Sequence, residues 1–296
     1  MRSYLIRIAP ILVAVVLGGA LGPDQIAHQP TTAETEHRKG VELHGQRCLT
    51  EASQAYARTL ELEPPEDPTP RQRQMAFRFA PRLFLTANEP FELKDFVAIL
   101  HPTRNLIAYH LFWDDDIDFP DDNDPCDHEI VWVEYDPDKS SLTGIITYFH
   151  GRLLRSDPVA VAEALANQGR PRVLVQWGKH GSMPFGWEQL RIVADSSDSE
   201  SSYYPVGRSI SLLRYLEGTC RKLQQDGRRM QEHPLGRSWP RKFDGTCQEF
   251  SSFPVELDPT PLLQARQMIK VSRWNSATIN QHFLRYNFRP KSEWPD

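Results

Sequence analysis

Between residues 82 and 193 the chain is cut into short apolar runs, each rich in aromatic and β-branched side chains and each bounded by turn formers. The runs fall at 82–86, 96–100, 106–113, 129–135, 144–149, 172–177 and 189–193. Loops such as Asp136-Pro137-Asp138-Lys139 separate them. Segments of this length and regular spacing point to an antiparallel β-sandwich. The 24 prolines argue the same way, since proline interrupts helices and collects in connections. One helix breaks the series. Ser156-Asp157-Pro158 starts it, 159–168 is its body and Gly169 stops it, so a mixed α+β sheet stays open as an alternative.

Helices are expected on either side of this β-rich core at 77–195. Residues 37–64 hold a helix with Ala52, Ala55, Leu60 and Leu62 near helical spacing, stopped by Pro64-Pro65. The part from Glu51 to Pro64 resembles the second helix of a tetratricopeptide repeat. A stable array needs about three such units, and a single helix packed on the core is the simpler expectation. Residues 203–296 form a helical and irregular extension packed on the core. It contains an amphipathic helix at 209–225 and a second helix opened by Thr260-Pro261 and running to about Val271. The aromatic tail, with Trp274 and Trp294, is expected to pack on the body.

The first 22 residues have the pattern of an export signal. Arg2 and Arg7 precede an uncharged run from Ile8 to Gly22, and Gly18 and Ala20 offer a cleavage site near Ala20. That run is shorter than the ~20 residues that span a bilayer. A secreted, extracellular protein is therefore expected. In an oxidising compartment the four cysteines, Cys48, Cys126, Cys220 and Cys247, suggest two disulfides. Cys220–Cys247 is the favoured pair, because the two bracket a polar, basic segment that a staple would order. With 34 basic against 39 acidic residues the chain is no polycation, and nucleic acid is not an expected partner.

The acidity is local, and it marks the candidate site. The run ending in Trp113 is followed by Asp114, Asp115 and Asp116, and the next run begins Asp127-His128-Glu129. In a strand Asp127 and Glu129 share one face while His128 points the other way. If the two strands are antiparallel neighbours, Asp114 and Asp116 come close to Asp127 and Glu129. Crowded carboxylates need a cation or a proton between them. An oxygen-rich set suits Mg²⁺ or Ca²⁺, and an added imidazole from His150 or His180, each before a glycine, would also suit Mn²⁺ or Zn²⁺. The candidate metal ligands are thus Asp114, Asp116, Asp127, Glu129 and His150, with Lys179 and His180 as ligand-binding residues. No metalloprotease helix motif, nucleophile elbow or phosphate-binding glycine loop is present.

Over residues 78–193 the order of parts resembles the necrosis- and ethylene-inducing-like proteins. An aromatic strand from Tyr109 to Asp116 precedes the acidic pair, Asp127 and Glu129 match two positions of the family's Gly-His-Arg-His-Asp-Trp-Glu motif, and a strand ending in His150-Gly151 follows. Pro125 and Cys126 occupy the part where the family has its first motif histidine. The resemblance implies a β-sandwich. It also implies a divalent cation held by Asp127, Glu129, an upstream aspartate such as Asp114 or Asp116, and a histidine. Binding to lipid head groups at membranes is implied with it.

The expected function is a secreted, divalent-cation-binding sandwich that holds an anionic lipid head group or glycan. One alternative is a metal-dependent extracellular hydrolase of phosphoester or glycan, with Glu129, His150 and His180 as candidate catalytic groups. Another is a structural or interaction protein without metal, in which Arg152, Arg155 or Lys179 neutralises the carboxylates. Oligomeric state stays open.

Overall fold

The computed structural model describes residues 32–117, 127–194, 206–230, 245–283 and 294–296. The expected export signal, the acidic loop beyond Ile117, Cys126 and the serine-rich run at 196–202 lie outside the described residues. Residues Thr32–Asp296 form one compact unit.

The strands run β1 (Arg82–Leu85), β2 (Leu93–Leu100), β3 (Leu106–Trp113), β4 (Asp127–Asp136), β5 (Ser141–Phe149), β6 (Arg152–Arg155), β7 (Arg172–Val175), β8 (Ser182–Pro184), β9 (Arg191–Val193), β10 (Ser209–Ser211), β11 (Val255–Leu257) and β12 (Ile269–Val271). A six-stranded sheet has the order β12-β2-β3-β4-β5-β6, and a four-stranded sheet the order β11-β1-β7-β8. β2 to β6 form an antiparallel meander, whereas β12 joins β2, and β7 joins β1, in parallel. The result is a sandwich-like α+β fold, strand-rich with added helices.

Strand alternation builds the core. Ile107, Tyr109, Leu111 and Trp113 of β3 and Val131, Val133 and Tyr135 of β4 share one buried cluster with Leu83 and Leu85 of β1 and Val173 and Val175 of β7. The other face carries Leu106, Ala108, Ile130 and Trp132 in a second cluster. β3 is buried at every position, which is why, His110 apart, it reads as an apolar run and not as an alternating one.

The helices are α1 (Ala33–Gly45), α2 (Leu49–Leu62), α3 (Pro70–Arg78), α4 (Val159–Ala166), α5 (Leu212–Met230), α6 (Cys247–Phe250), α7 (Thr260–Arg266) and α8 (Asn275–Phe283). The expected helix at 37–64 is two helices. Arg47 adopts a left-handed conformation (φ 64°) and folds α1 back against α2. α3 has a capping box, Thr69 with Gln72, and Pro70 in the first turn. The expected helix from 260 to 271 ends at Arg266, where Gln267 turns left-handed and releases the chain into β12. Cys220 and Cys247 form a disulfide with a Cα–Cα distance of 5.6 Å, tying α5 to α6. No described helix is long and apolar enough to cross a membrane.

Candidate functional site

The antiparallel register of β3 and β4 sets Trp113 opposite Asp127 and Leu111 opposite Glu129. Alternation then turns Asp127 and Glu129 toward the inner face, between the two sheets. His128 goes to the outer face. There its ring stacks on Phe112 at 4.8 Å, and its Nε2 lies 3.0 Å from Nδ1 of His110. Glu129 is buried.

Two loops close over this end of the sandwich. After β7 the chain makes a tight turn through Gln176-Trp177-Gly178-Lys179-His180-Gly181, in which the His180 amide donates to the Gln176 carbonyl and the Gln176 amide to the Gly181 carbonyl. Gly178 has φ 62°, and a Cβ there would sit 2.8 Å from the side chain of Ile117. At Gly181 a Cβ would meet the Phe149 ring at 2.9 Å and His150 Nε2 at 3.0 Å. Both glycines let the turn press against its neighbours. The second loop, 88–91, is locked to the first. Trp177 Nε1 donates to the Asn88 carbonyl (2.6 Å), and the Gly178 amide donates to Glu89 Oε2 (2.9 Å).

The turn delivers His180 into a sealed position with no exposed surface. Its Nδ1 lies 2.8 Å from Asp127 Oδ2 and its Nε2 3.1 Å from Glu89 Oε1. Trp113 stacks flat on the ring at 4.2 Å, and Phe91 meets its edge at 5.9 Å. Two carboxylates, one on each ring nitrogen, ask for two N–H donors, which only imidazolium has. Burial pulls the pKa of His180 down. The charge of Glu89, the ring's hydrogen bonds to Asp127 and Glu89, and the charge of Asp127 outweigh it and raise the pKa to about 10. A buried charge is tolerated when it is paired and hydrogen-bonded on all sides.

The other expected site residues are placed around this cluster. His150, left-handed at φ 46°, points Nε2 at the Gln176 side-chain oxygen. Its carbonyl accepts from Arg152 at 2.9 Å. Lys179 Nζ donates to the Ile117 carbonyl at 3.2 Å, and the Ile117 amide donates to the Gly178 carbonyl at 2.6 Å. The 176–181 turn thus clips the acidic segment at Ile117. Asp114 lies at the edge, half exposed, 3.7 Å from Lys94. Within the same loop the Asp116 amide donates to Asp115 Oδ1. The structure therefore brings together Asp127 and His180, and pairs Asp114 with a lysine. Arg155 is engaged with Glu134 and Asp157.

Glu89 is the partner that the sequence reading missed. It sits in Asn88-Glu89-Pro90, a stretch whose only visible signal is that of a turn. Nothing in the spacing links it to Asp127, and only the fold closes the gap.

Of the residues expected at a divalent cation or beside it, Asp127 and His180 are engaged with each other at 2.8 Å. Among the described residues no group of three or more His, Cys, Asp or Glu is arranged to hold a metal ion.

No family model matches the chain. No curated protein matches it either. Among solved structures, the necrosis and ethylene inducing protein 2 from the causal agent of cocoa's witches' broom disease is a weak neighbour. It has a TM-score of 0.28 and 12% identity over 40% of this chain and 73% of that one.

Proposed function

We propose that the chain is an exported binding protein that holds an anionic ligand, a lipid head group or glycan, at the end of the sandwich where the loops 114–117 and 176–181 meet. The observation that carries this reading is the buried Glu89–His180–Asp127 cluster directly beneath those loops. Three charges are taken out of water and two histidines are held left-handed at one end of the fold. Such strain and desolvation concentrate where a loop must be held in one geometry for function. Lys179, half-buried at the lip, supplies positive charge to an incoming anion. The disulfide between Cys220 and Cys247 supports an oxidising compartment.

A second reading, an interaction protein in which the cluster only braces the sandwich, draws support from the complete burial of His180. One experiment separates the two. The purified protein is titrated with anionic vesicles and an acidic glycan panel, with Ca²⁺, Mg²⁺, Mn²⁺, Zn²⁺ or a chelator present. The binding reading expects affinity better than millimolar for one ligand class and at least a several-fold loss in Lys179→Ala. Absence of binding under every condition would leave the bracing role.

A further inference from the structure

We infer that the cleft between α3 and α7 is a second binding site, for a small carboxylate with a flat apolar body. The cleft has a volume of about 570 Å³ and is lined by Arg73, Phe77, Gln264 and Gln267. Ordinary small-molecule sites have this size, and they too combine an apolar wall with a few polar groups. Arg73 and Phe77 stand one turn apart on α3, so they share a face. Gln264 lies on α7, and Gln267 caps it. Both helices are anchored from behind. Met75, Ala76 and Leu263 are buried in the central core, and Phe77 packs against it. The walls are therefore fixed before any ligand arrives.

Among the described residues the Arg73 guanidinium makes no hydrogen bond or ion pair, although it is half-buried. Asp67 lies within its field but is held by Lys270 at 2.7 Å. Asp95 is held in turn by Arg266, beside Gln267 in the chain, at 2.8 Å. Arg73 is left with five donors in a planar fork, the shape that a carboxylate fits. The side-chain amides of Gln264 and Gln267 likewise bond to no described residue, and each can donate or accept. Gln267 closes α7 in a left-handed conformation, φ 53°, with its backbone amide donating to the Leu263 carbonyl at 2.9 Å. Glycine closes a helix this way without strain. Glutamine bears the strain and adds a side chain, and that side chain lines the cleft. A carboxylate on Arg73, a flat body against Phe77 and polar contacts to the two glutamines complete the set.

The probe is hippurate, which carries a carboxylate, an amide and a phenyl ring. It is titrated into the ¹⁵N-labelled full chain and followed by NMR. The uncharged hippuramide is the control, and melting curves show that each variant is folded. Hippurate should bind with a dissociation constant of about 1 mM or tighter, and should shift the amide signals of Arg73, Phe77, Gln264 and Gln267. Hippuramide should bind about tenfold more weakly, and so should hippurate to Arg73→Gln, where the charged partner is gone. Gln267→Gly, which relieves the left-handed strain, should keep the fold and weaken binding severalfold. The cleft shares no residue with the loops 114–117 and 176–181, so Lys179→Ala should bind hippurate as the wild type does. Absence of a saturable shift at the four lining residues would overturn the inference. So would full affinity in either folded cleft variant, or a loss confined to Lys179→Ala.

Discussion

At the scale of single residues, the account turns on how a charge is kept inside a protein. His180 is stable there only as part of a three-membered set, and removing either acid should show it. Asp127→Asn or Glu89→Gln leaves the ring with one charged partner, and breaking a buried pair costs about 3–5 kcal/mol. Urea melts should report losses of that size, well above those of a surface substitution such as Lys139→Ala. The pH dependence has a definite sign. The folded pKa of His180, about 10, lies above the unfolded value of about 6.5. Its contribution is therefore complete below about pH 6.5 and fades as pH rises toward 10, with an upper figure of about 5 kcal/mol. Stability should decline across that alkaline window, and His180→Gln should flatten the decline. Gly181→Ala tests the close approach of the loop. Its Cβ meets Phe149 and His150 at contact distances shorter than packing allows, and overpacking of this kind costs about 1–3 kcal/mol. Of the site, Asp127 and His180 were legible from residue type and from their places at run ends. Glu89 was not, because a pairing made across the fold leaves no periodic trace in the chain.

At the scale of elements, legibility follows how strongly each segment satisfies its own pattern. β3 coincides with its run, Leu106–Trp113, because both of its faces are buried and all but His110 of its positions are apolar or aromatic. β4 and β5 extend the expected runs by one to three residues at their ends. The short strands β8, β10, β11 and β12 have three residues each and carry no alternation that could be read. Helix breaks were hidden for a different reason. Arg47 and Gln267 adopt left-handed conformations usually reserved for glycine or asparagine, so neither residue type announced the turn. The α5–α6 pairing was legible, since Cys220 and Cys247 bracket one segment. A disulfide acts chiefly on the unfolded chain, and closing a loop of this separation contributes about 3 kcal/mol. Reduction, or Cys247→Ser, should lower stability by about that amount.

At the scale of the whole molecule, the last third of the chain does more than extend the core. β11 completes the edge of the four-stranded sheet beside β1, and β12 completes the six-stranded sheet beside β2. α7 adds Leu263 to the central core. Trp274, next to α8, stacks on His37 of α1 at 4.7 Å. A chain shortened to end before Val255 would expose both sheet edges and the helix-covered face. It should show no cooperative melting transition, whereas removal of residues 1–31 should leave one. The central claim concerns the charge held beneath the loops at the other end of this body. It is tested most directly by ¹⁵N NMR of histidine-labelled protein at neutral pH. The account predicts that both ring nitrogens of His180 are protonated, with slowly exchanging N–H protons, and stay so to about pH 10. A neutral His180 ring at pH 7, with one bare nitrogen, would contradict it.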